Sequence, residues 1–275
     1  MGLAARIPLR LAHAVGVLLG WTIYALSPTY RRRLRENLAY AGYSDKRVRN
    51  AAIAEAGKLL AELPAIWFRP QAEVVALVRE SEGAEEVWAA HRRGEPLLVL
   101  APHLGCFEIV SHYLATRVPF AILFRPPKAG WLEPLMREGR EGPNIRMLSA
   151  DYSGVRQLIA ALRRGTGIGF LPDQVPGEGE GEWVEFFGRP AYTMTLAARI
   201  VDRPRQSCFL AYARRLPRGA GYALSVRRLP AALAGESTAR RVNRALEGLI
   251  RECPEQYHWG YNRYKTPRGA ERRDG

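Results

Sequence analysis

The stretch GEPLLVLAPHLGCFE, residues 94–108, decides the fold. Its apolar core, LLVLA at 97–101, is a short continuous run between Pro96 and Pro102. That is the pattern of a strand buried on both faces. Helical patterns flank it, at 84–93 ending before Gly94 and at 106–116. Further on, AILF at 121–124, IRML at 145–148, GIGFL at 167–171 and CFLAYA at 208–213 read as strands. YALSVRRL at 222–229 alternates as an edge strand would. Between them, 131–140, the apolar face Val155, Leu158, Ile159 and Leu162, and 193–201 read as helices, and 238–253 as a last one. Upstream, a helix starts at Ser44-Asp45 and is expected to stop at Pro64. Strand and helix alternate almost throughout. The expectation is an α/β fold with a largely parallel sheet flanked by helices, and its site lies beyond the strand carboxyl ends.

The N-terminus differs. Residues 11–26, LAHAVGVLLGWTIYAL, carry almost no charge, then meet Arg31, Arg32, Arg33 and Arg35. Sixteen residues are marginal for a span, which needs about 17 or more. No small-residue cleavage site follows, and basic residues after an apolar segment stay on the cytoplasmic side. The run reads as a helical anchor at the cytoplasmic face of a membrane, with a buried core helix as the other reading. The chain is divided accordingly: 1–43 for the membrane-associating helix and basic segment, 44–268 for the main domain, and 269–275 for a flexible tail.

The net charge is +14, from 41 basic and 27 acidic residues, with 37 Arg and 4 Lys. Residues 1–50 carry +7, 51–200 carry −2 and 201–275 carry +9. Such a surface attracts phosphate on lipid, nucleic acid or an acidic protein. A nucleic-acid-binding protein has only this charge in its favour, because no recognition helix, finger or ribonucleoprotein motif is present. The three cysteines are scattered, and no His/Cys cluster has metal-ligand spacing, so neither disulfides nor a metal is expected.

Chemistry gathers where strands end. His103 follows the first strand and Glu108 lies five positions on, with Gly105 able to turn the chain between them. A carboxylate on one imidazole nitrogen leaves the other as a base, so the pair is a candidate dyad. A structural hydrogen bond is its plainer reading. Asp173 and Gln174 follow GIGFL. Arg125 and Arg140 are each able to grip a phosphate, although among 37 arginines a solvated surface residue is the plainer reading of either. Glycines within 177–188, with Trp183, Phe186 and Phe187, suggest a mobile loop with an apolar face suited to a lipid chain, or core packing. Cys106, between Gly105 and Phe107, reads as a buried, inert thiol.

These strings together resemble the lipid A biosynthesis acyltransferases, the late lauroyl/myristoyl enzymes of Gram-negative bacteria. That family lies within the glycerolipid acyltransferases with a His-x-x-x-x-Asp/Glu motif. The matching strings are the basic segment at Arg32 to Leu38, HLGCFE, FRP with Arg125, MREGR ending at Arg140, LPDQVPG and FFGRPA, and PEQYHWGYNRYKTPRG. The resemblance implies transfer of a fatty acyl chain from an acyl carrier protein thioester, or from acyl-CoA, to a hydroxyl of a lipid A precursor. It implies His103 as base with Glu108 orienting it, and Arg140 at the oxyanion or an acceptor phosphate. It also implies Arg125 as a weaker phosphate contact, Asp173 and Gln174 as organisers, and Phe186, Phe187, Gly188 and Arg189 as a substrate loop. No metal, cofactor or acyl-enzyme is needed, and the expected place is the cytoplasmic face of the inner membrane. An ornithine lipid, lysophospholipid or glycolipid acceptor is the alternative within the same chemistry.

Overall fold

The structure is a computed structural model that describes residues 2–127 and 129–270. Seven strands form the main sheet: β1 (Val78–Glu82), β2 (Leu97–Leu100), β3 (Phe120–Phe124), β4 (Ile145–Ser149), β5 (Gly167–Phe170), β8 (Ser207–Arg215) and β9 (Tyr222–Arg228). Their order is β1-β9-β8-β2-β5-β3-β4. Every neighbouring pair is parallel except β8 with β9. A separate antiparallel hairpin joins β6 (Gly181–Phe186) to β7 (Arg189–Met194).

Helices cover both faces of the sheet, which explains why LLVL is apolar at every position rather than at alternate ones. Leu98 and Leu100 join Ile168, Phe170 and Leu210 in one core cluster. That cluster includes residues of α9 (Tyr152–Arg163), α10 (Thr195–Val201) and α11 (Thr238–Glu252). Leu97 and Val99 point the other way, into a second cluster with α6 (Ala84–Arg92) and α7 (Phe107–Leu114). The remaining helices are α1 (Gly2–Ala5), α2 (Leu9–Leu26), α3 (Pro28–Tyr40), α4 (Lys46–Phe68), α5 (Gln71–Val75) and α8 (Leu132–Arg140).

Three expectations are corrected. Helix α4 does not stop at Pro64 but runs on to Phe68. The missing proline N–H deprives the Leu60 carbonyl of its partner, and Leu60 is exposed, so water is at hand there. β9 is not the edge strand, because β1 pairs outside it. β1 reads VRESE, a polar edge without an apolar signal. Residues 193 and 194 end β7 rather than opening α10.

Helix α2 lies antiparallel along α4, and three glycines set the distance. A Cβ on Gly57 would fall 1.9 Å from the Gly16 carbonyl oxygen, and one on Gly20 would fall 2.1 Å from that of Ile53. Its 18 residues span about 27 Å at 1.5 Å per residue, just under a hydrocarbon core of about 30 Å. By length and composition it is able to cross a membrane. Leu9, Ala12, His13, Gly16, Gly20 and Tyr24 are buried, whereas Leu11, Val15 and Leu18 are 59, 63 and 70% exposed. The helix thus fits neither a wholly buried core helix nor a free one.

Beneath α2 lies a buried ionic cluster. Glu62 of α4 accepts hydrogen bonds from Arg215 Nε (2.9 Å) and Nη2 (2.6 Å), bonds His13 Nε2 (3.1 Å) and accepts from the Tyr222 hydroxyl (3.0 Å). Burial alone would raise the Glu62 carboxyl, but Arg215 and His13 outweigh it and pull it down to about 2. Arg215 also donates to the Gly105 carbonyl at 3.0 Å.

Candidate active site

The chain leaves β2 through Ala101 and Pro102, which puts His103 at the carboxyl end of a central strand. The following turn is fixed from behind. Gly105 has φ +59°, and a Cβ there would lie 2.0 Å from the Ala213 carbonyl oxygen, so only glycine fits. Cys106 N–H donates to that same oxygen (2.8 Å), and Gly105 N–H donates to the Gln256 carbonyl (3.0 Å). Helix α7 then begins at Phe107.

His103 is held at both ring nitrogens. Its Nδ1 is 2.8 Å from Asp173 Oδ1, and its backbone N–H donates to Asp173 Oδ2 at 2.9 Å. A carboxylate only accepts, so Nδ1 carries the proton and Nε2 the lone pair. The Gln174 side-chain amide lies 3.1 Å from Nε2. Burial by itself would raise the Asp173 carboxyl, but the electrostatic pull and two hydrogen bonds of the His103 N–H groups outweigh it and hold the group below its usual range. The His103 carbonyl accepts from the backbone N–H of His258 at 3.0 Å. The His258 ring is buried, 6.3 Å from that of His103. Burial, then the neighbouring His103, push His258 down to about 4, against Asp173, so it is neutral at pH 7.

Glu108 is placed differently from the expectation. It does not orient His103, whose nitrogens face Asp173 and Gln174. Its carboxylate accepts from Arg140 Nε (2.9 Å to Oε2, with a close contact from Nη2 to Oε1) and from Trp67 Nε1 (3.2 Å). Glu108 lies in the first turn of α7, Arg140 ends α8 and Trp67 lies in the last turn of α4. Gly139 lets α8 press onto the Trp67 ring, where a Cβ would fall 2.3 Å from Cγ. Burial would lower the Arg140 guanidinium, but Glu108 more than compensates, so Arg140 is a fixed cation.

Both constellations open on one cavity of about 370 Å³. His103, Glu108, Arg140 and Gln174 line it, and Val99, Val110, Phe120, Ile122 and Phe170 make it largely apolar. Asp173 stands behind His103, 2% exposed. Arg125 and Lys265 also line it. Arg125 is exposed and lies 3.5 Å from Glu180, so an acidic residue of the glycine-rich segment faces it.

The expected substrate loop is not part of the cavity wall. Phe186 and Phe187 are buried core residues stacked near Tyr257 and Trp259. Phe187 (φ 49°) and Gly188 (φ 71°) form the tight turn between β6 and β7, and such turns demand left-handed residues. Arg189 lies over the Tyr40 ring at 3.7 Å. Cys106 is fully buried, and burial first, with Glu62 nearby, raises its thiol well above the usual value. Sequence reasoning missed Trp67 and His258. Trp67 sits in a helix expected to have ended, and His258 carried no strand-end signal.

The chain matches the family model described as bacterial lipid A biosynthesis acyltransferase over residues 1–266. It is 26% identical over 219 residues to the lipid A biosynthesis lauroyltransferase of Escherichia coli (strain K12), covering 78% of this chain and 71% of that protein. It is 24% identical to the palmitoleoyltransferase of the same organism, covering 76% and 69%. With the E. coli myristoyltransferase it shares 26%, covering 69% of this chain and 60% of that one.

Proposed function

Since the chain belongs to the bacterial lipid A biosynthesis acyltransferases, we propose that it moves a fatty acyl chain from an acyl carrier protein thioester to a hydroxyl of a lipid A precursor. The observation that carries this reading is a histidine, proton fixed on Nδ1 by a buried aspartate, at the polar end of a largely apolar cavity.

The acceptor hydroxyl displaces the Gln174 amide and gives its proton to His103 Nε2 as its oxygen attacks the thioester carbonyl. Asp173 stabilises the imidazolium that results. Collapse of the tetrahedral intermediate breaks the C–S bond, and the Nε2 proton passes to the departing thiolate. Arg140, its plane set by Glu108 and Trp67, supplies fixed positive charge for the oxyanion or for an acceptor phosphate. In this reading Asp173 orients the base and Glu108 orients the arginine. The acyl chain occupies the cavity between Val99, Val110 and Ile122.

The exposed stripe of α2 lies against the cytoplasmic leaflet of the inner membrane and brings the cavity to its lipid substrate. The basic ends face anionic partners, the leaflet and the carrier protein. The test is a His103→Ala protein given an acyl carrier protein thioester and a lipid A precursor. Membrane binding is expected to persist and transfer to vanish, and substantial transfer would remove His103 from its role. Replacing the carrier thioester by acyl-CoA in the same assay identifies the donor.

A further inference from the structure

A second site lies outside the catalytic cavity. An open groove of about 420 Å³ runs between α2, α4 and the turn Pro217–Gly219. Arg10, Lys58 and Arg218 supply three cations, and Ala14 and Val17 form an apolar wall. Lys58 is paired with Glu55 at 2.5 Å. Arg10 and Arg218, both exposed, make no ion pair or side-chain hydrogen bond among the described residues. Several arginines of the C-terminal part behave otherwise: Arg227, Arg228, Arg240 and Arg244 are matched by glutamates.

The placement of Arg218 is built rather than incidental. It adopts φ 56°, a left-handed conformation disfavoured for a residue with a Cβ. The turn is seated on the first turn of α2: a Cβ on Gly219 would lie 2.6 Å from the Arg10 amide nitrogen. That close seat holds the two unpaired arginines on one groove. At 100° per residue, Arg10, Ala14 and Val17 lie on the flank between the buried face of α2 and its exposed stripe Leu11, Val15 and Leu18.

We propose that this groove seats the phosphate of an anionic glycerophospholipid, gripped by Arg10 and Arg218, with the lipid's glycerol and upper acyl carbons along Ala14 and Val17. Arginine forks match phosphate oxygens. The apolar wall continuing into the exposed stripe selects a lipid over a soluble phosphate. The inference rests on the reading of α2 as a membrane-facing helix and assigns its headgroup contact.

The full-length protein is mixed with vesicles of phosphatidylcholine and with vesicles of phosphatidylcholine plus phosphatidylglycerol, and binding is followed by flotation. An R10Q/R218Q variant is expected to match the parent on neutral vesicles and to lose about tenfold in affinity on the anionic ones. A charge-matched R163Q/R164Q variant, altered at the exposed end of α9, is expected to keep the parent's preference. Equal losses in the two variants, or none in R10Q/R218Q, overturn the seat. Displacement by inorganic phosphate at constant ionic strength also overturns it, in favour of a soluble anion. Failure of the parent to bind either vesicle overturns the membrane reading of α2 itself.

Discussion

The molecule holds two constellations of histidine, carboxylate and arginine, and they differ in what they face. His103, Asp173, Glu108 and Arg140 stand around a cavity at the strand ends. His13, Glu62 and Arg215 are sealed beneath α2 with the Tyr222 hydroxyl. In the first, His103 Nε2 meets only a displaceable amide. In the second, each Glu62 oxygen is taken by Arg215, and one by His13 as well, so no carboxylate oxygen is left for a substrate. Access, rather than residue type, separates chemistry from architecture. The two are nonetheless joined, because Arg215 also holds the carbonyl of Gly105, two residues from His103.

The sharpest way to break this contrast is at Asp173. Asp173→Asn is expected to lower kcat about 10²–10⁴-fold, since an amide also accepts the wrong imidazole tautomer, while the melting temperature changes little. Wild-type kcat in that variant would end the assignment of Asp173. Glu62→Ala is expected to do the reverse, costing about 3–5 kcal/mol because it leaves Arg215 buried without its main partner. Urea unfolding measures it, and a mild effect there would mean that the sealed cluster is not structural.

Next comes His258. Its folded value of about 4 lies below the ordinary 6.5, so the unfolded chain binds the proton first. Its contribution is complete above about pH 6.5 and is lost as pH falls toward 4. It should remove about 2 kcal/mol of stability between pH 7 and pH 5, a slope that His258→Gln should flatten. The smallest effect is expected at the exposed Arg125–Glu180 pair, where Arg125→Ala should shift stability by less than about 1 kcal/mol. A larger loss would show that the mouth of the cavity is held together by that contact.

Much of the sheet was legible because its strands are buried on both faces and therefore continuously apolar, as LLVL and AILF are. VRESE was not, since a polar edge strand obtains its order from β9 and carries no pattern of its own. The hairpin was missed because its glycines and glutamates mimic a loop. Strand-end reasoning found His103 and Asp173 but not their bond, since 70 positions separate them and only the parallel pairing of β2 with β5 brings them together. The proximity of Glu108 in sequence was misleading for the same reason. Once Gly105 turns the chain, five positions carry Glu108 to the side of the cavity where Arg140 and Trp67 wait.

The glycine seam of α2 also bears on how the protein is prepared. Trimming the apolar N-terminal helix is the obvious route to a detergent-free sample. Here that cut would expose Gly57 and Ile66, take His13 away from Glu62, and remove the platform on which Gly219 rests. A shortened chain would trade one sticky surface for another with an ionic core open to water. Solubility is better sought by replacing Leu11, Val15 and Leu18, which touch the outside, than by deleting the helix that carries them.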